Sequence, residues 1–309
     1  MRLVFMGTPQ FAVVSLKQLV NNGFDIAVVV TAPDKPKGRG LNVQFSPVKQ
    51  YAISQNLPIL QPESLDDHTF LEELRASNAD LFVVVAFRIL PKAVFSIPPL
   101  GTINLHASLL PKFRGAAPIN WAIINGESRT GVTTILINEK VDSGDILLQR
   151  EVPIMPQMNA GDLHDLLAEI GADLLVETLQ LIDSQSLQPR PQKMSEATKA
   201  PKLTPSMCKI DFNQPAYQVH NFIRGLSPSP GAYCYHGTRQ LKIYKANESR
   251  QVDPSAKPGQ VIAKNKNSFT VQCATGSLDI FEVQIQNKKR LPVKDFLNGY
   301  VLNKGDMLV

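Results

Sequence analysis

The sequence predicts a two-part chain of the α/β class, and three observations carry that prediction. From Leu3 to Ile182, short continuously apolar runs alternate with amphipathic stretches, the pattern of a parallel sheet covered on both faces. Beyond residue 206 the pattern changes to short strands parted by turns, which reads as a small barrel or sandwich. Between them, residues 184–206 hold four prolines and little hydrophobic periodicity. The expected architecture is a Rossmann-like, mostly parallel sheet with helices on both faces over 1–183. A linker over 184–206 and an OB-like β-barrel over 207–309 complete it.

The elements follow in order. Leu3 to Met6 reads as a buried strand, Gly7-Thr8-Pro9 as a tight turn, and Phe11 to Asn22 as a helix with Ala12, Leu16, Leu19 and Val20 on one face. Ile26 to Thr31 is a second strand. Gly7 stands alone where a dinucleotide fingerprint needs three glycines, which argues against a nicotinamide enzyme. Residues 31–47 form a long connection carrying Lys35, Lys37 and Arg39 on a Pro- and Gly-rich backbone, and long loops in compact domains are commonly functional. Ser46-Pro47 is a cap and first-turn signal for a helix through Gln55. Ile59-Leu60 is expected as a short strand and Asp66 to Ser77 as a helix. Asp80 to Ala86 is the strongest buried strand, with Thr102 to His106 the next. Ile119 to Asn125, with the single Trp121, reads as a helix, and Gly131 to Ile137 as a strand. Ile146 to Val152 reads as an edge strand and Asp162 to Ile182 as a long amphipathic helix. In the C-terminal part, a helix from Ala216 to Ile223 precedes five short strands between Gly231 and Val283.

Composition narrows the function classes. Hydrophobic residues make up 43% and charged residues 19%, as in a globular protein, and no apolar run is long enough to span a membrane. Cys208, Cys234 and Cys273 are widely spaced and odd in number, with no Cys/His ligand spacing. Reduced thiols, a cytoplasmic location and no structural metal are the expectation. The net charge of +5 is uneven: residues 1–183 hold 14 Lys and Arg against 19 Asp and Glu, whereas residues 207–309 hold 14 against 7. A basic module on an acidic body suggests that one end meets a polyanion.

The chemistry centres on GTINLHASLLPKFRGAAP, residues 101–118. Asn104 and His106 lie two apart on an apolar strand, so both point to one face. With Asp142 in the polar loop 138–145, they fall at or beyond the C-terminal ends of strands, where open α/β sheets bind ligands. An amide donor, an imidazole and a carboxylate suit acyl transfer, supplying a partner for a developing oxyanion and a group to move a proton. Ser108 lacks the GxSxG elbow of a serine nucleophile, so a direct transfer to a bound nucleophile is expected. His68, His164, His220 and His236 have no such neighbours.

Asn104 to Pro118 with Val141-Asp142-Ser143-Gly144-Asp145 resembles the folate-dependent formyltransferases. Met6-Gly7-Thr8-Pro9 and Pro33-Asp34-Lys35-Pro36 leading to Gly38-Arg39-Gly40 narrow the resemblance to members that act on methionyl-tRNA. It continues through Ile223-Arg224-Gly225-Leu226 and Pro228 to Ala232, covering essentially the whole chain. The resemblance implies transfer of formyl from 10-formyltetrahydrofolate to the α-amino group of methionyl initiator tRNA, by a monomer without metal. It puts Asn104, His106 and Asp142 in the catalytic triad. Ser108, Leu109, Leu110 and Pro111 match the folate-binding segment, and Phe87, Arg88 and Ile89 a wall of the pterin pocket. Lys35, Lys37, Arg39, Arg114, Lys288, Lys289 and Arg290 are the expected tRNA contacts. Ala86-Phe87-Arg88 departs from the usual Ala-Tyr-Gly of the family. Formyl transfer to a sugar-nucleotide amine is the alternative, as is a tRNA-binding module without catalysis. The basic C-terminal module and the Lys35/Lys37/Arg39 loop favour tRNA.

Overall fold

The structure, a computed structural model, describes residues 1–37 and 42–309; Arg39 and its neighbours Gly38 and Gly40 lie outside the described residues. The chain divides into two compact units. One comprises Met1–Ala116, Thr130–Val152 and His164–Ala200, the other Ala117–Arg129, Pro153–Leu163 and Pro201–Val309.

The chain opens with β1 (Arg2–Gly7), α1 (Gln10–Asn21), β2 (Asp25–Val30), β3 (Lys35–Lys37), β4 (Asn42–Gln44) and α2 (Pro47–Ser54). Then come β5 (Ile59–Leu60), α3 (His68–Ala76), β6 (Leu81–Val85), α4 (Lys92–Phe95), β7 (Thr102–His106) and α5 (Pro118–Ile124). β8 (Arg129–Leu136), β9 (Ile146–Pro153), α6 (Ala160–Asp183) and α7 (Ala216–Leu226) follow. The remainder is β10 (Ala232–His236), β11 (Arg239–Glu248), β12 (Val261–Lys264), β13 (Phe269–Gln272), β14 (Ser277–Ile285), β15 (Leu291–Pro292) and α8 (Val293–Phe296).

In the first unit the sheet order is β5-β2-β1-β6-β7-β8-β9. The first five of these strands pair in parallel and β8 runs antiparallel to β7. All five residues of β6 are buried, as a strand covered on both faces demands. β9 sits at the sheet edge, which accounts for its polar Gln149, Arg150 and Glu151. Helix starts follow local chemistry: Ser46 accepts from the Lys49 amide at 3.0 Å, with Pro47 in the first turn, and Asp67 caps α3 through the Phe70 amide at 2.9 Å. The chain winds from β1 out to β5, then returns to β6 on the other side of β1. The resulting reversal in strand order puts a crevice at the C-terminal ends of β1 and β6, beside β7.

Two local features differ from the sequence reading. Residues 31–47 contain a two-stranded ribbon, Lys35 opposite Gln44 and Lys37 opposite Asn42. Lys, Pro, Asn and Gln are poor strand formers, so composition hid it. Within 184–206, Arg190 and Ile146 exchange backbone hydrogen bonds of 2.8 Å, Arg114 bridges Lys199, and Ala200 is fully buried.

The second unit is built on an antiparallel sheet, β10-β11-β14-β13-β12, with β15 on β14. Residues near Val309 join its two edges. The Tyr235 and Val309 backbones bond reciprocally at 2.6 and 2.9 Å beside β10, while the Leu308 amide reaches the Gly259 carbonyl at 2.8 Å beside β12. That seam closes the sheet into a barrel and removes its open edges. Leu241, Ile243, Phe269, Val271, Leu278, Ile280 and Val283 fill it, each fully buried. Among the described residues no helix is long and apolar enough to cross a membrane.

Candidate active site

β7 lies between β6 and β8 in register Val84–Asn104–Ile135, and His106 stands opposite Thr133. Two residues apart, Asn104 and His106 share one face at the C-terminal end of the strand. Among the described residues no hydrogen bond engages the Asn104 carboxamide. His106 is 6% exposed, and its Nε2 lies 3.0 Å from the Phe113 carbonyl oxygen. A carbonyl only accepts, so Nε2 carries the hydrogen and Nδ1 is the nitrogen left for other work. Nδ1 is 3.7 Å from Asp142 Oδ2, an ion-pair distance beyond hydrogen-bond range. Three separated sequence segments thus meet in one place.

Asp142 is held from several sides. Its Oδ2 accepts from the Gly115 amide at 2.8 Å, and its carbonyl accepts from Gln192 Nε2 at 3.0 Å. Its φ of 51° is left-handed, a conformation that costs a non-glycine residue about 1–3 kcal/mol and persists only where neighbours impose it. The same Gln192 amide nitrogen reaches the Gly144 carbonyl at 2.7 Å. A Cβ on Gly144 would sit 1.5 Å from the Leu136 carbonyl oxygen, so only glycine brings the loop this close to β8. Phe113 and Ala86, at φ 61° and 48°, are further left-handed residues beside β7 and β6.

The loop after His106 is fastened from beneath. Ser108 is fully buried; its hydroxyl donates to the Lys112 carbonyl at 2.6 Å and its own carbonyl accepts from Thr133 Oγ1 at 2.6 Å. Gln149 Nε2 donates to the Leu110 carbonyl at 2.9 Å, and Leu110-Pro111 is a cis peptide. Thr133, Gln149 and Gln192 were missed by sequence reasoning. Nothing about an isolated Thr or Gln marks it, and Gln192 lies in a stretch that composition alone reads as a linker. The one available signal was Thr133, a polar residue inside an apolar strand.

The other expected site residues are distributed as follows. Phe87 is half-buried and Ile89 is 76% exposed, both just beyond β6. Between them, Arg88 donates from Nη1 and Nη2 to the Glu63 and Pro62 carbonyls at 3.0 and 2.8 Å. Arg114 donates from Nε and Nη2 to Gln192 Oε1 at 3.2 and 2.6 Å. Arg290 makes a two-bond pair with Glu282 at 2.7 and 2.6 Å and stacks 4.3 Å from the centre of the Tyr244 ring. Lys288 and Lys289 are exposed. Lys35 and Lys37 lie on β3, and Arg39 falls in the residues not described. Among the described residues no cluster of three or more His, Cys, Asp or Glu could hold a metal ion.

The fold belongs with the formyl transferases: the family profile described as formyl transferase matches residues 1–179, and that of the formyl transferase C-terminal domain matches residues 202–301. The relatives are more particular. The chain is 46% identical to a methionyl-tRNA formyltransferase of Caldanaerobacter subterraneus subsp. tengcongensis, covering 100% of both chains. It is 48% identical to one from Moorella thermoacetica over 100% of this chain and 99% of that one. This chain belongs to the methionyl-tRNA formyltransferase family.

Among solved structures it resembles WlaRD, a sugar 3N-formyl transferase determined with dTDP and 5-N-formyl-THF. The TM-score is 0.69 at 22% identity, over 94% of this chain and 99% of that one. It also resembles HypX from Aquifex aeolicus in complex with tetrahydrofolic acid, with a TM-score of 0.68 at 18% identity. That match covers 99% of this chain, which spans about half (50%) of HypX. Both likenesses are of fold.

Proposed function

We propose that this chain transfers the formyl group of 10-formyltetrahydrofolate to the α-amino group of methionyl initiator tRNA, as a cytoplasmic monomer. The observation that carries the reading is the near-half identity to methionyl-tRNA formyltransferases along the entire length, barrel included. A basic barrel of 14 Lys and Arg against 7 Asp and Glu supports it, since tRNA is a polyanion.

The residues present fit a folate. An apolar wall of Phe87 and exposed Ile89 leaves β6 beside the strand bearing Asn104, whose carboxamide has no hydrogen-bond partner among the described residues. Ser108 to Pro111 would line the other side, on a loop already fastened by Thr133 and Gln149. The folate supplies an activated one-carbon unit at the oxidation level of an amide. Asn104 donates its N–H to the formyl oxygen as negative charge grows there. His106 keeps its Nε2 hydrogen on the Phe113 carbonyl, so its Nδ1 accepts the proton that the attacking nitrogen sheds as the new C–N bond forms and returns it to N10 as the formyl–N10 bond breaks. Asp142, 3.7 Å away, balances the imidazolium formed in that step. An α-amine titrates near 8, so a usable neutral fraction exists at neutral pH and no strong base is required.

The deciding experiment offers the protein 10-formyltetrahydrofolate with either methionyl-tRNA or a UDP-amino sugar and follows N-formyl product. Formyl-methionyl-tRNA is the expected product. Turnover of the sugar nucleotide alone would refute the assignment.

A further inference from the structure

The β3–β4 ribbon is tied at its root by a set of bonds that the chemistry above does not use. Its incoming foot is Thr31 to Asp34 and its outgoing foot is Phe45 to Lys49. Thr31 Oγ1 and Ser46 Oγ lie 2.8 Å apart, joining the two feet by their hydroxyls. A second tie is the ion pair between Asp34 Oδ2 and Lys49 Nζ, whose side chains are 24% and 15% exposed. Lys49 Nζ also stands 4.1 Å from the centre of the Phe45 ring, so the same ammonium touches both feet. Gln61, just beyond β5, donates from Nε2 to Asp34 Oδ1 at 2.9 Å and to the Ala32 carbonyl at 2.8 Å. The next two residues, Pro62 and Glu63, are the ones whose carbonyls Arg88 grips. A continuous series of bonds therefore runs along the sheet's C-terminal rim, from the loop after β6 to the root of the ribbon.

A solvated surface loop has no need of this. Two cross-links at one root fix the direction in which a short ribbon leaves the sheet, because an antiparallel pair leans as its feet dictate. Asp34 is central: one oxygen takes the ammonium of Lys49, the other the amide of Gln61. The same contacts hold its carboxyl below the usual carboxylate range, Lys49 contributing most. It stays ionised, and the clasp intact, throughout the neutral range.

We infer that Asp34, with Lys49 and Gln61, is a positioning residue for the polyanionic substrate: it aims the Lys35- and Lys37-bearing ribbon at the tRNA without touching the reacting atoms. This rests on reading the chain as a formyltransferase of methionyl-tRNA. Its signature is a split between the two substrates, since the folate wall would keep its own contacts.

The test is steady-state kinetics on the full chain, wild type first. Absence of wild-type turnover on methionyl-tRNA overturns the functional reading and this inference with it. Given wild-type turnover, Asp34→Asn and Lys49→Met should each raise KM for methionyl-tRNA about tenfold, the worth of one charge-assisted hydrogen bond, with KM for 10-formyltetrahydrofolate unchanged. The exchanged pair, Asp34→Lys with Lys49→Asp, should recover part of that loss, because it restores the ion pair but not the bond from Gln61, while the unchanged KM for 10-formyltetrahydrofolate separates this from a merely destabilised fold. The inference alone falls if the single variants keep the wild-type KM for tRNA, if both substrates' KM values rise equally, or if the exchanged pair is no better than the singles.

Discussion

Replacing Gln192 by Ala removes four hydrogen bonds at once: two donated to the carbonyls of Asp142 and Gly144, and two accepted from Arg114. The neutral bonds are worth about 1 kcal/mol each, and those involving the guanidinium somewhat more before solvent screening is discounted. The site is part-buried, so the sum comes to about 2–4 kcal/mol. For a unit of this size that lowers Tm by about 5–10 °C. A second effect falls on activity. Asp142 is held at a φ of 51°, and without the Gln192 tether its carbonyl is released toward an ordinary conformation, leaving the Gly115 amide as the remaining hold on its carboxylate. A carboxylate displaced by about 1 Å from His106 should cost kcat roughly 10- to 100-fold. Gln192→Glu separates the two: it keeps an acceptor for Arg114 but turns a carboxylate toward two carbonyls. It should retain more of the stability than Gln192→Ala while losing as much kcat. Thermal unfolding and single-turnover formyl transfer measure both quantities. Wild-type kcat in Gln192→Ala, whatever its Tm, would refute the claim that this side chain places Asp142.

Other expectations follow from the same structure. His106→Ala and Asp142→Ala should each lower kcat by roughly 10²- to 10⁴-fold while tRNA binding by filter retention stays near wild type; equal loss of binding would make their role structural. Lys288→Ala and Lys289→Ala should each reduce the salt slope of tRNA affinity by about one, and Arg290→Ala by less, because Glu282 already holds that guanidinium. Equal slopes for all three would contradict it. Burial pushes the Cys234 and Cys273 thiols up to about 12. Both stay protonated in the fold while the unfolded chain ionises above about 9, so their contribution is complete below pH 9 and is lost as pH climbs toward 12, by about 1.4 kcal/mol per unit per thiol. A Cys234→Ala, Cys273→Ala chain should show a shallower decline in urea-measured stability over that window.

What could be read from the sequence was set by periodicity and by local rules. Buried parallel strands such as Leu81–Val85 announce themselves as unbroken apolar runs, and Ser46-Pro47 announces a helix start. The Asn104/His106 pair was legible because a strand's period of two puts both on one face. Contacts made across sequence distance were not. Gln192 meets Asp142 fifty residues away, and Gln61 meets Asp34 across twenty-seven; neither leaves a local trace. The roles of Arg114 and Arg290 show the converse limit. A cation is visible in a sequence, but whether a neighbouring amide or carboxylate already engages it depends on the fold.

The second unit is assembled from three stretches of chain that are interleaved with the first. Helix α5 (Pro118–Ile124) reaches it well before its barrel is encoded. There Asn120 Nδ2 donates to the Gly225 carbonyl at 2.7 Å, Trp121 Nε1 donates to the Pro201 carbonyl at 2.8 Å, and a Cβ on Gly225 would lie 2.7 Å from Ile124. No single scission therefore yields two finished pieces. Cutting near residue 200 would leave the upstream fragment with a stranded helix and the downstream fragment with a bare socket for it. Dissecting the protein means grafting both residues 117–129 and residues 153–163 onto the downstream half, or keeping the polypeptide whole.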